Sequence, residues 1–323
     1  VTGTILAAGN NSNAKGMATE ATGWAFNWDA DISKMTQNSY DPALNPGGHL
    51  VSNHSYGNLI GWYRDSNQNW SWAGNEGVNN LEDYRFGYYS NKSRGPVDDG
   101  RIKPDFVGMG VNVFSSAIVN DGAGDGYATL SGTSMASPNV TGSLLLLQEL
   151  YHGRNSGRYM RAATLKALAI QTTKEAGISD GPDYMYGWGL LDAKAAAQII
   201  IDEDGSSKVM RELQLMNNDT YQFEFVSNGV DPIKATIVWT DPAGAPPPAQ
   251  LNPSNLMLVN DLDMRIIDES GAVFYPWTLN PSQGSGGVAV RTADNFRDNI
   301  EQILIDTPSP QKYTLQITHK GIL

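Results

Sequence analysis

Residues 127 to 142 read YATLSGTSMASPNVTG, a serine on a glycine-bounded turn that runs into the apolar segment SLLLLQELY. This string predicts a helix that starts at SGTSMASP and continues through LLLLQELY, apolar almost all round and therefore buried. Pro138 is expected in the first turn of that helix, where a missing N–H costs nothing. A serine at such a position presents its side chain at a crevice. The helix N-terminus beside it supplies unpaired N–H groups and positive potential. Both stabilise the negative oxygen of a tetrahedral intermediate, the largest contribution in most acyl-transfer sites. A lone Gly-Thr-Ser would suit an ordinary capping serine. The full string from Gly132 to Pro138 is far more specific.

Composition narrows the function classes. A chain of 323 residues can hold one large domain and a smaller one. Thirty-four acids against 22 Lys and Arg give a net charge of −12, which argues against a nucleic-acid partner. The same acidity is compatible with bound cations or a secreted protein. Cysteine is absent, so disulfides, thiolate metal sites and cysteine nucleophiles are excluded together. No run approaches the length of a membrane span, and no organic cofactor is implied.

Residues 1 to 203 mix apolar runs, glycine turns and helical stretches, as an α/β layer protein does. Val111 to Ser116 reads as a strand, Arg161 to Ala176 as a helix ending near Gly177, and GWGLLDAKAAAQIIID as a third helix. That helix dissolves in DEDGSS, a polar stretch suited to a domain boundary. Beyond it the period becomes two. Ala235, Ile237 and Trp239 alternate with Thr236, Val238 and Thr240, and Leu262, Met264 and Ile266 alternate with Asp263 and Arg265. Tyr313, Leu315 and Ile317 repeat the pattern. Half-buried strands of this kind, separated by Pro, Gly and Asn turns, predict a small antiparallel sandwich or barrel over residues 207–323.

The string Gly132-Thr133-Ser134-Met135-Ala136-Ser137-Pro138 resembles the active-serine motif of the subtilisin-like serine proteases, and other segments agree in order. SRGPVDDGRIKPDFVGMGVNVFSS (93–116) resembles the family stretch leading to the serine loop. VSNHSYG (51–57) resembles the strand that lines the substrate channel, VTGTILAAGNNSNAKGMATEA (1–21) the segment directly after the catalytic histidine, and MYGWGLLDAKAAAQ the close of the domain. IVWTDPAG and LVNDLDMRI resemble the C-terminal β-domain of a branch of secreted bacterial subtilases. The resemblance implies a three-layer α/β domain with a parallel sheet over 1–203, followed by a jelly-roll-like β-sandwich. It implies that Ser134 is the nucleophile of an acyl-enzyme mechanism on protein or peptide substrates. It also implies that Ser55, Tyr56 and Gly57 hydrogen-bond an extended substrate backbone. Tyr56 reads equally as a half-buried aromatic of the core.

The departures are equally specific. Family order is Asp, His, Ser, and Val1 stands where the residue after the histidine motif belongs, so neither triad partner lies in this sequence. Of the four histidines, His152 sits at the far end of the serine helix, on the order of 25 Å from its start, and His319 lies in the tail. His49 is the fourth, and His54 lies inside the substrate-strand motif as a weak substitute base. Trp72-Ala73-Gly74-Asn75-Glu76-Gly77 resembles the oxyanion asparagine turn only superficially, because the polar DSNQNWSW precedes it. EDYRFGYY reads as an insertion beside the channel, Asn10 as a turn residue, and a gap is expected near 90–93. The molecule is therefore expected to be longer than this sequence, with a nicked chain or a truncated relative as alternatives. Acids at Asp241, Asp261, Asp263, Asp294, Asp298 and Glu301 cluster in the tail, where the related domains hold calcium; a solvated acidic face is the competing reading. The expected protein is a secreted serine endopeptidase. The other class is a catalytically inactive, subtilase-derived module that binds protein, polysaccharide or a cell surface.

Overall fold

The computed structural model describes residues 1–27, 29–40, 48–55, 61–64, 69–73, 94–118, 125–247 and 253–323. The chain groups into two compact units, residues 1–57 with 108–159, and residues 58–107 with 160–323.

In the first unit the helices are α1 (Thr2–Leu6), α2 (Asp31–Tyr40) and α3 (Thr133–Arg154). The strand expected at Val111–Ser116 forms as Val113–Ile118, and it pairs antiparallel with Asp125–Leu130, Val113 facing Leu130. In the chain order set by β1 (Gly61–Arg64) and β2 (Trp70–Ala73), these two strands are β3 and β4.

Helix α3 departs from its expected burial. Its buried face carries Pro138, Thr141, Gly142, Ser143, Leu147 and Gln148, while Leu146 in the leucine run is exposed. The reason is close approach: a Cβ at Gly142 would collide with the Met17 side chain, so small residues face the segment that follows α1. Pro138 also lies one turn deeper than expected, as the sixth helical residue. Without an N–H it cannot donate to the carbonyl of Ser134, four residues earlier, so the helix leaves that carbonyl unpaired in its ladder.

In the second unit α4 spans Ala162–Gln171 and α5 spans Ala193–Asp202. Helix α4 stops five residues short of the expected Ala176. Thr172 and Thr173 turn their hydroxyls back onto the carbonyls of Leu168, Ala169 and Ile170, and Lys174 then bridges to Leu190 as extended backbone. Helix α5 starts where Asp192 accepts from the Ala195 N–H at 3.0 Å. The DEDGSS stretch folds into an ordered turn, in which the Asp204 carboxylate accepts from the N–H groups of Ser206, Ser207 and Lys208 and from the Ser207 hydroxyl. These bonds hold its carboxyl far below the ordinary range.

The tail forms antiparallel sheets. One has the order β5 (Tyr221–Val226), β10 (Lys312–Lys320), β7 (Asp261–Asp268), β8 (Val273–Phe274); the other pairs β6 (Ile233–Val238) with β9 (Ile300–Ile305). Met264, Ile266, Ile303, Ile305, Tyr313 and Ile317, contributed by both sheets, bury one common apolar cluster. The expected division at 203–207 does not coincide with the observed grouping, because α4 packs on β6. Gln171 accepts from the Thr236 hydroxyl at 2.6 Å and donates to the Lys234 carbonyl at 2.9 Å. Among the described residues the named strand pairs are all antiparallel, and the parallel contact is the single bridge Val107 to Leu190.

Glu301 lies fully buried in β9. Its Oε2 accepts from the Met264 N–H at 2.5 Å, and among the described residues its Oε1 makes no hydrogen bond of good geometry. Burial pushes its carboxyl up to about 8, and Asp263 nearby adds to the rise. Asp298 is raised to about 6, again by burial first. Both groups bind a proton on folding, so stability is lost as pH rises from the unfolded value to the folded one. Between pH 6 and 8 the loss belongs chiefly to Glu301. The melting temperature is expected to fall across that window, and Glu301→Gln, which keeps the acceptor for Met264, should flatten the fall. A wild-type profile level from pH 6 to 8 by calorimetry would refute the assignment.

Candidate active site around Ser134

The serine turn is built by backbone proximity. Gly132 caps α3 with φ +151° and ψ 173°, a conformation open to glycine and essentially to no other residue. Its N–H donates to the Gly110 carbonyl at 2.8 Å. A Cβ at Gly110 would stand 2.7 Å from the Gly132 carbonyl oxygen and 2.8 Å from the Ala136 Cβ. A Cβ at Gly108 would meet Val140 at 2.5 Å, so alternate residues of Gly108-Met109-Gly110 lie against the opening turns of α3. Ser131 completes the frame by accepting from the Asn112 N–H at 2.8 Å.

Ser134 is then the second residue of α3, half-buried. The first intrahelical donors to the Gly132 carbonyl are the N–H groups of Met135 and Ala136. Among the described residues neither the Ser134 hydroxyl nor its N–H has a hydrogen-bond partner. A presented hydroxyl thus stands beside free helix N–H groups, an arrangement suited to attack on a carbonyl and to holding the resulting oxyanion.

The segment 51–55 alternates in exposure: Val51, Asn53 and Ser55 are half-buried, Ser52 and His54 exposed. Asn53 is tied to α3, its Oδ1 accepting from the Ser137 hydroxyl at 2.8 Å and from the Thr141 hydroxyl at 3.3 Å. Its Nδ2 donates to Ser55 Oγ at 3.0 Å. The sequence reading missed Asn53. The signal was present, since period two puts residues 51, 53 and 55 on one side of an extended chain. Tyr56 and Gly57 lie outside the described residues, as do Gly74 to Gly77, the EDYRFGYY insertion and the expected gap at 90–93.

His54 falls on the other side of the alternation. Its Nε2 is 3.1 Å from Ser52 Oγ and its Nδ1 is 3.7 Å from Asp31 Oδ2. His49 contacts Asn38 at 2.6 Å, and His152 stacks on Tyr159 near the end of α3. His319 accepts from the Asn218 N–H at 2.7 Å. Asn10 sits exposed after Gly9, whose φ is +90°, as expected of a turn.

The acids of the tail do not fit a calcium ion. Asp263 and Asp294 lie 2.7 and 3.0 Å from Lys320 Nζ, with Asp261 at 3.5 Å, and Arg265 pairs with Asp263 and Asp294. The protein's own cations occupy the centre that a metal would need. Asp298 accepts from the Ile102 N–H and from Asn295, and Asp241 accepts from the N–H groups of Val259 and Asn260. Among the described residues no group of three or more His, Cys, Asp or Glu has metal-holding geometry. Burial is the main cause raising the Asp261 carboxyl; burial also opposes ionisation of Asp294, where Lys320 and Arg265 outweigh it.

Residues 83–189, which contain the Gly132 turn and the whole of α3, match the model of the subtilase family. Over that stretch the chain is similar to the subtilases. A Dictyostelium discoideum serine protease/ABC transporter B family protein, tagD, is 28% identical over 280 residues, covering 67% of this chain and 15% of that protein. The PII-type proteinase of Lactococcus lactis subsp. cremoris is 33% identical over 134 residues, 37% of this chain and 7% of its own length. The subtilisin-like protease SBT3.9 of Arabidopsis thaliana is 32% identical over 115 residues, 33% of this chain and 15% of that protein. The chain therefore spans a small part of the curated relatives it matches. Among the described residues of this subtilase-like segment and its flanks, no helix is long and apolar enough to cross a membrane.

Gly110→Ala tests the frame of the turn. Overpacking against backbone is expected to cost about 1–3 kcal/mol in urea unfolding. A substitution without effect would mean that the approach of Gly110 to Gly132 is slack.

Proposed function

We propose that this chain is part of a secreted serine endopeptidase in which Ser134 is the nucleophile. The observation that carries the reading is the Ser134 hydroxyl, set by Gly132 in the first turn of α3 with no hydrogen-bond partner among the described residues. Its Oγ attacks the peptide carbonyl and its proton passes to a base. The tetrahedral oxyanion collapses with departure of the protonated amine, leaving an acyl-enzyme that water hydrolyses. The Ser134 N–H, at the positive end of α3, is the oxyanion donor this chain offers.

No histidine of this sequence is assigned as base. His54 faces away from the side of its strand that Asn53 ties to α3, and the Asp and His of the triad are proposed to lie on a segment beyond this sequence. Ser55, Tyr56 and Gly57 are proposed to bind the substrate as an extended strand, which makes protein or unfolded peptide the substrate class. The family match over 83–189 and the protease names of the relatives support this reading. We assign the tail as a β-sandwich, supported by the apolar cluster that its two sheets share.

An alkyl fluorophosphonate is the direct test. Labelling of the full-length protein should map to Ser134 and vanish in Ser134→Ala. Folded protein that takes no label would sink the enzyme reading and leave the inactive binding module.

A further inference from the structure

We propose that Asn53 is a positioning residue, the clamp that fixes the substrate strand in register with Ser134. The proposal rests on the serine protease reading above and goes beyond it by naming what aligns the peptide with the nucleophile. Ser137 and Thr141 follow Ser134 by three and seven residues, so all three stand along one side of α3. The Asn53 carboxamide oxygen takes both helix hydroxyls, one on each lone pair, at 2.8 and 3.3 Å. Its NH2 group reaches Ser55 Oγ at 3.0 Å. One side chain therefore joins the residue that would hold the peptide backbone to the helix that carries the nucleophile.

The chemistry of the pair is specific. Ser137 and Thr141 need an acceptor with two lone pairs, and Ser55 Oγ meets a donor from the same group. Alanine supplies neither. Aspartate keeps both acceptor sites for the helix, and the Ser55 hydroxyl can turn to donate to it. A pocket lined by Met35, His49 and Leu50 among others lies between α2 and the start of this segment. The two bonds to Asn53 tie the segment to one position along the helix. A displacement near 1 Å between reacting atoms is enough to cost on the order of a hundredfold in rate.

Two probes separate alignment from nucleophile integrity. A small alkyl fluorophosphonate reaches Ser134 without using the strand, whereas an extended peptidyl phosphonate must lie along it. In the full-length protein, Asn53→Ala is expected to slow peptidyl phosphonate labelling by about tenfold and to keep the alkyl rate within about twofold. Asn53→Asp should restore most of the peptidyl rate. Equal losses with both probes, or no loss with either, would overturn the clamp while leaving Ser134 as nucleophile. A wild-type protein that the alkyl probe does not label would overturn the protease reading itself, and the clamp with it. If Asn53→Ala fails to fold, Ser137→Ala and Thr141→Ala remove the same bonds from the helix side and should show the same selective loss, about two- to fivefold each.

Discussion

The approach of the Gly110 and Gly132 backbones is the constraint on which the first unit's site depends. A main-chain bond of 2.8 Å joins them, and a side chain at either position would collide or force an inaccessible φ. With that contact made, the chain can enter α3 so abruptly that the second helical residue is already free of the preceding strand. Ser134 gains its exposure from this geometry and not from any property of serine. The neighbouring bond between Asn112 N–H and Ser131 Oγ braces the same corner. A turn held by backbone in this way leaves little play in the position of Ser134, which matters if it is the nucleophile proposed above, because a misplacement near 1 Å is costly in rate.

Charge organises the second unit differently. Asp261, Asp263 and Asp294 surround Lys320 and Arg265, so an acidic protein places two of its few cations where three carboxylates converge. Close by, Glu301 is buried without a cation of its own and holds its proton near neutrality. The contrast follows from access. Lys320 keeps nearly half of its side chain in water and can neutralise the rim of the cluster, whereas Glu301 on β9 accepts from a backbone N–H and is sealed by apolar neighbours.

Much of this architecture was legible in the sequence, for reasons that differ by element. Strands β7 and β10 announced themselves by strict alternation, because one face meets the apolar cluster and the other does not. The serine turn was legible because glycine at 132 has a steric meaning that no other residue can fill. The C-terminal end of α4 was not legible: Thr172 and Thr173 are acceptable in a helix, and the bridge of Lys174 to Leu190 shows why the helix stops there. The burial of α3 was misread for a related reason. Hydrophobicity ranks leucines inward, but contact with Met17 demands small residues, and Gly142 and Ser143 took the buried face. Acid clustering in the tail suggested a metal, whereas the pairing of Asp261, Asp263 and Asp294 with Lys320 and Arg265 could not be read from the sequence, since it joins residues distant along the chain.

Helix α3 shows why polar residues were retained where apolar ones would pack as well. Thr141, Ser143 and Gln148 are buried on it, and Ser137 is half-buried. A leucine face would tolerate sliding by a fraction of a turn, since dispersion contacts are many and individually weak. Hydroxyls at 137 and 141 admit one register, the one in which a single carboxamide accepts from both. Pro138 stands between them and has no N–H to give the Ser134 carbonyl, which loosens the ladder at Ser134 while Ser137 and Thr141 hold the helix to the segment of Asn53. The two hydroxyl bonds to Asn53 thus tie the segment 51–55 to one position along α3, beside the turn that carries Ser134. Such an arrangement specifies relative position through directional bonds, which the exposed Leu146 of the leucine run does not share.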